Sequence, residues 1–220
     1  MTVTLLIPTL NEIDGMRAIM PEVAAGWCDQ IIILDGGSTD GTVEYAREHN
    51  YDVVIQEKPG LFNAYWQVYE YIRGDIVITF SPDGNSMTER LIPLIRKIEE
   101  GYDIVTVSRY LDWATSEDDD FITGLGNRIF TKFYNFLFRQ RTTDYLVMYR
   151  AFRRNLVDEL NIKHSAISWQ SQLMCRAAKA GKRLGEIPGN EPKRIGGKRK
   201  MRPIKNGIAE LRMLSTEFFR

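Results

Sequence analysis

The sequence predicts an α/β protein built on a mostly parallel sheet flanked by helices. Short apolar runs rich in β-branched residues, helical patterns alternating with them, and a polar segment after each run all point that way. The runs fall at Val3–Ile7, Ile31–Leu34, Val53–Ile55, Ile76–Phe80 and Ile104–Val107. They are almost continuously apolar, as strands covered on both faces are. Helical periodicity fills the gaps over about Gly15–Ala25, Thr42–His49, Phe62–Ile72 and Glu89–Glu100. Strand and helix in alternation make right-handed βαβ units and hence parallel strands.

Beyond Tyr110 the alternation loosens. The acidic stretch Glu117–Asp120 leads into a helix over Ile122–Phe138 with aromatic residues at 130, 133, 134, 136 and 138. "YLVMYRAFRR" reads as a strand running into a turn, and "AISWQSQLMCRAAKAG" as a helix closed by Gly181. "RLGEIP" reads as a short strand, followed by a basic segment and an amphipathic helix from about Ile204 to Phe219. The expected organisation is one domain over 1–192, with halves meeting near 110, and then a basic loop and helix over 193–220.

At 220 residues, 44% hydrophobic and 26% charged, the chain has an ordinary globular composition. Its formal net charge of zero gives no whole-molecule attraction to nucleic acid. Charge is unevenly placed, however, with seven Lys or Arg among the thirteen residues Lys193–Lys205. Such a run is a solvated surface or a phosphate clamp. Cys28 and Cys175 are far apart with no CxxC spacing, and there are two histidines. This argues against a disulfide scaffold or Cys/His zinc site and fits a reducing cytoplasm. "MTVTLLIPTLNE" lacks a basic n-region, its apolar run is short for a signal peptide, and no run approaches transmembrane length. The expected location is the cytoplasm, with peripheral contact at the inner membrane face and a homodimer both left open.

Function is written at the strand ends. The five runs are followed by "PTLNE", "DGGSTDGT", "EKPG", "SPDGN" and "SRY". In an open α/β sheet these carboxyl ends share the edge where ligands bind. Asp35 closes the second run ahead of Gly36 and Gly37, which let the backbone turn sharply and approach a ligand. A carboxylate there suits a nucleobase or ribose, with Asn11 and Glu12 as the far wall or simply as a helix start. Asp83 and Asn85 are two oxygen donors one residue apart, suited to Mg²⁺ or Mn²⁺, although alone the segment makes a turn as readily. Arg109 suits bidentate contact with a phosphate. No GxGxxG follows the first run and no GxxxxGK[ST] occurs, which removes dinucleotide and P-loop readings.

Together, "IPTLNE", "ILDGGSTDGT", "SPDGN" after "DIVITF", "SRY" and "TTDYLVMYRAFRR" resemble the family 2 glycosyltransferases of GT-A fold, nearest to the dolichol- or polyprenyl-phosphate mannose synthase branch. The resemblance covers nearly the whole chain. It implies a Rossmann-like, metal-dependent (Mg²⁺ or Mn²⁺), inverting enzyme, with domain 1–192 catalytic: a nucleotide-binding half to about 110 and an acceptor half beyond. By that resemblance Glu12 and Asp35 hold base and ribose, and Pro8, Leu10, Lys58 and Ser81 line the nucleotide pocket. Asp83 matches the second carboxylate of the DxD metal motif, with Asn85 beside it. Arg109 handles phosphate, and "RIGGKRKM" resembles that branch's basic loop, placing Arg194 and Lys200 at its phosphate-contacting positions. Arg128 is a further candidate for the acceptor phosphate. The implied partners are a nucleotide-sugar (GDP-mannose, with UDP-sugars left open) and a polyprenyl phosphate or glycan acceptor.

Two departures matter. Ser81 stands where the first DxD carboxylate belongs, so metal binding without nucleotide is expected to be weak. No Asp or Glu occurs from Asn161 through Gly185, where many family members carry a general base. An acceptor phosphate is already an anion and needs no base, which favours a lipid phosphate. Transfer to a glycan hydroxyl would need another base, for which Asp144 is the candidate. A non-catalytic nucleotide-binding homologue is the remaining alternative.

Overall fold

The computed structural model describes residues 1–23, 26–58, 61–162, 168–196 and 203–220. Among them seven strands form one sheet: β1 (Val3–Thr9), β2 (Gln30–Asp35), β3 (Asp52–Ile55), β4 (Ile76–Thr79), β5 (Ile104–Ser108), β6 (Arg150–Arg153) and β7 (Leu184–Pro188). Their order is β3-β2-β1-β4-β6-β5-β7. All neighbours are parallel except β6, which runs antiparallel to both β4 and β5. The helices are α1 (Ile13–Val23), α2 (Thr42–Glu48), α3 (Leu61–Val68), α4 (Leu91–Glu99), α5 (Phe121–Phe138), α6 (Leu156–Glu159), α7 (Trp169–Lys179) and α8 (Pro203–Phe219).

The strands are apolar on both sides because both sides are covered. On one face Val3, Leu5, Ile7, Ile33, Ile76 and Ile78 pack with Met16 and Met20 of α1, Ala46 of α2 and Leu94 and Ile98 of α4. On the other, Leu6, Ile32, Leu34, Val77 and Ile104 pack with Val68 of α3, Tyr134 of α5, Leu173 of α7 and Leu214 of α8. Each fully buried aliphatic side chain contributes about 1.5–3 kcal/mol. The two cores therefore fix the sheet before any polar group at its edge is considered.

Three local features differ from the sequence expectation. The segment expected over Glu89–Glu100 starts with a 3₁₀ turn at Thr88–Arg90, and the one expected to Ile72 ends in a 3₁₀ turn at Tyr69–Tyr71. "YLVMYRAFRR" forms strand only over Arg150–Arg153. Arg150, 1% exposed, donates instead to the carbonyls of Tyr145 (3.2 Å), Val147 and Gln170 (3.5 Å). The buried guanidinium, rather than a neighbouring strand, takes the Tyr145 and Val147 carbonyls of this segment. Gly181 sits at φ +67°, as a helix-closing glycine should. Among the described residues no helix is long and apolar enough to cross a membrane.

The chain leaves β1 toward β2 and β3 on one side, while β4 lies on the other. The carboxyl ends of β1 and β4 thus flank the point where strand order reverses, where a crevice opens in folds of this kind. Glu12 follows β1 and Asp83 follows β4.

Candidate active site

The loops after β1 and β2 are tied together before any ligand arrives. Asn11, at φ +55°, donates its backbone N–H to Ser38 Oγ (2.8 Å) and accepts from the Thr39 N–H (2.8 Å). Asp35 is completely buried. Its Oδ1 accepts from the N–H groups of Gly37 (2.9 Å) and Ser38 (2.7 Å), and its Oδ2 from Thr9 Oγ1 (2.9 Å) and Ser38 Oγ (2.5 Å). The carboxylate that the sequence offered to a base or ribose lies beneath its own loop and shapes it. Pro8 and Leu10 are half-buried on the β1 side of the crevice, and Lys58 is exposed beyond β3.

After β4 the turn Ser81–Ser86 is covered by the segment that follows β7. Asp83 is 4% exposed, and its Oδ1 accepts from the Asn85 N–H (3.0 Å). Asn85 Nδ2 donates to the Pro192 carbonyl (2.7 Å), and the Ile195 N–H to the Asp83 carbonyl (2.8 Å). Gly84, at φ +88°, lies directly under Ile195, where a Cβ would come within 2.7 Å of that side chain. Arg194 Nη1 reaches Asp83 Oδ2 at 2.7 Å and Glu12 Oε1 at 3.6 Å. One guanidinium therefore bridges the carboxylates on the two sides of the crevice. Ser81 is half-buried, its N–H 3.4 Å from Ser86 Oγ.

A divalent cation fits here on restricted terms. Among the described residues no group of three or more His, Cys, Asp or Glu side chains converges as a metal site. Asp83 supplies one carboxylate and Asn85 an amide oxygen, a donor set that suits hard Mg²⁺ or Mn²⁺ when substrate phosphates complete the shell. Arg194 would have to leave Asp83 Oδ2 first.

At the end of β5, Arg109 and Asp144 turn out to be each other's partners. Arg109 Nε lies 2.7 Å from Asp144 Oδ2 and Nη2 3.0 Å from Oδ1, a bidentate pair. Arg109 Nη1 reaches Glu191 (3.1 Å) and Asp119 (3.5 Å). Burial opposes its charge, but the hydrogen bonds and charge of Asp144, then Glu191, raise its pKa above the ordinary arginine value. Three carboxylates thus surround the guanidinium whose residue type suited contact with a phosphate. Asp144 is itself fully buried and also accepts from the Arg109 N–H (3.1 Å) and Asn127 Nδ2 (2.6 Å). Held from four directions, it is badly placed to take a proton from a hydroxyl. Burial pushes the Glu191 carboxyl above its ordinary range against the pull of Arg109 and Ser116.

The exposed Arg128 lies over the Tyr110 ring at 5.7 Å, with Arg109 at 5.3 Å from the same ring. Lys200 lies outside the described residues. Sequence reasoning passed over Glu191, Asp119 and Asn127. Glu191 had a usable signal: "GNEP" follows the predicted strand "RLGEIP", a further polar strand end at the same edge. Asn127 and Asp119 carried none: the partner of Asn127 is 17 residues away, and Asp119 is itself one of a run of acidic residues.

With this geometry in hand, the chain belongs to glycosyl transferase family 2, whose model matches residues 4–160. It is a glycosyltransferase of mostly parallel α/β architecture, similar to the following proteins. It is 27% identical to a glycosyltransferase, AglJ, of Haloferax volcanii over 93% of this chain and 68% of that protein. It is 27% identical to an undecaprenyl-phosphate 4-deoxy-4-formamido-L-arabinose transferase of Aeromonas hydrophila, over 72% of this chain and 51% of that protein. In fold it is similar to glucosyl-3-phosphoglycerate synthase from Mycobacterium tuberculosis, crystallised with Mn²⁺, uridine diphosphate and phosphoglyceric acid. There the TM-score is 0.74 at 19% identity, covering 99% of this chain and 78% of that one.

Proposed function

We propose that this chain transfers a sugar from a nucleotide-sugar to a polyprenyl phosphate, with inversion at the anomeric carbon. The observation that carries the reading is the state of Asp144. The base candidate for a hydroxyl acceptor is locked by Arg109 and Asn127, so an acceptor that needs no deprotonation is favoured. A phosphate oxygen attacks the anomeric carbon, the new C–O bond forms, and the bond to the nucleoside diphosphate breaks. The relative that acts on undecaprenyl phosphate supports the acceptor class.

The donor would lie in the crevice between the loops after β1 and β4. Asp83, with the Asn85 amide beside it, would hold Mg²⁺ or Mn²⁺ together with the donor diphosphate, as the Mn²⁺- and UDP-bound structure of similar fold suggests. When bound, that cation would supply positive charge to the departing diphosphate. Arg194, once released from Asp83, and the exposed Arg128 are the cations offered to the acceptor phosphate. The Arg109–Asp144–Glu191 cluster positions the loops around them. GDP-mannose and the UDP-sugars both remain donor candidates.

The test is direct. Purified protein is incubated with Mn²⁺, a polyprenyl phosphate and each of a panel of radiolabelled GDP- and UDP-sugars. Label entering the organic-extractable fraction with one donor supports the reading; donor breakdown with none of the label in lipid would overturn it.

A further inference from the structure

We infer that the outward face of α5 is a docking surface for an anionic lipid bilayer. This deepens the lipid-acceptor reading and draws its purpose from it. The inward side of α5 buries Asn127, Thr131, Tyr134 and Phe138. The opposite side exposes Ile122, Leu125, Ile129, Phe133 and Phe136, and Phe121 at its start. At 3.6 residues per turn those five side chains fall within an arc of about 80°. Phe121 and Phe136 are 84% and 80% exposed. A surface helix ordinarily turns its polar residues outward. Here two of the inward residues are polar and the outward stripe is aliphatic and aromatic.

Charge identifies the occupant. No Asp or Glu occurs from Phe121 through Thr143, while Arg128, Lys132, Arg139 and Arg141 are all exposed along or just beyond the stripe. In the acidic segment before the helix, Asp119 pairs with Arg109 and Tyr110, and Asp120 caps the helix by accepting from the Thr123 N–H (2.8 Å). A two-fold contact with a second copy would set the same cations against each other. An anionic surface neutralises them while the apolar stripe enters the acyl boundary, the signature of a helix lying in the membrane interface. α8 widens the surface. Phe130 packs over Gly207, Phe138 meets Phe218 edge-on at 6.3 Å, and α8 exposes Ile208, Leu211 and Phe219 beside Lys205 and Arg212.

The placement links lipid to chemistry. Asn127 on the inward face donates to Asp144, and Arg128 lies over Tyr110. A bilayer against the outward face would hold this edge of the site at headgroup level, where the phosphate of a membrane-embedded acceptor lies.

The test is co-sedimentation with vesicles of phosphatidylcholine, with and without phosphatidylglycerol. The wild type is expected on the anionic vesicles and much less on the neutral ones. Ile129→Ser/Phe136→Ser and Lys132→Gln/Arg139→Gln should each lower partitioning by about tenfold or more. The first pair should leave thermal unfolding and turnover of a water-soluble short-chain prenyl phosphate unchanged. Vesicle binding by both variants equal to wild type overturns the surface. So does a wild-type dimer, seen by sedimentation velocity, that ignores vesicles and is split by Ile129→Ser/Phe136→Ser. Vesicle binding without use of any prenyl phosphate sinks the acceptor reading and leaves the surface standing. Turnover in detergent with no vesicle binding does the reverse.

Discussion

Arg194→Ala should make the metal-free, nucleotide-free protein bind Mn²⁺ more tightly. In the wild type the guanidinium lies 2.7 Å from Asp83 Oδ2, and a metal at Asp83 must displace it. Charge centres about 4 Å apart attract by about 4 kcal/mol at an effective dielectric near 20. The Arg194 side chain is 22% exposed, so water screens part of that attraction. About 1.4 to 2.7 kcal/mol then opposes the metal, or about tenfold to a hundredfold in affinity. Calorimetric titration of Mn²⁺ into both proteins reads it: weak binding by the wild type, at least about tenfold tighter by the variant. Adding a nucleoside diphosphate, whose oxygens complete the shell, should narrow the gap. Equal or weaker apo binding by Arg194→Ala would refute the claim that Arg194 holds the cation position.

Three further outcomes follow from the same geometry. Arg109→Met leaves Asp144, Glu191 and Asp119 without their shared cation, and chemical denaturation should register a loss of about 3–5 kcal/mol. Glu210, buried and accepting from Tyr145 Oη at 2.6 Å, has its pKa raised because burial outweighs its hydrogen bonds. A raised acid holds its proton more firmly in the folded chain, so its contribution is lost as pH climbs from the ordinary carboxylate value through the raised one. Glu210→Gln should therefore gain in thermal midpoint relative to wild type near pH 8, with the difference closing toward about pH 4. In Gly15→Ala a Cβ would meet the Pro82 carbonyl at 2.3 Å. Since backbone rather than a flexible side chain is in the way, unfolding should show a loss of about 1–3 kcal/mol, with weaker Mn²⁺ binding as the Asp83 turn is pushed aside.

The sheet was legible because its signal is local. Each of the five early strands is an apolar run closed by a polar segment, and covering helices sit between the runs. The site was legible to the level of which loops converge, since parallel strands must place their carboxyl ends together. What the side chains do there was not. Asp35 announced itself as a ligand contact, yet Thr9 and two backbone N–H groups consume its oxygens. Arg109 and Asp144 stood out separately, 35 residues apart, and nothing in the local sequence says that they close on each other. Arg194 was expected at a phosphate, and without one it rests on the two carboxylates nearest to it. In each case the deciding interaction is between charges brought together only by the fold.

The central claim is that the acceptor arrives already ionised. Its most direct measurement compares polyprenyl phosphate with the corresponding polyprenol as acceptors, using one preparation, one donor and Mn²⁺. Glycosylated polyprenyl phosphate with inverted anomeric configuration, and no product from the free alcohol, is the predicted result. Transfer to the alcohol at a comparable rate would contradict it, because a base able to deprotonate a hydroxyl would then have to be at work.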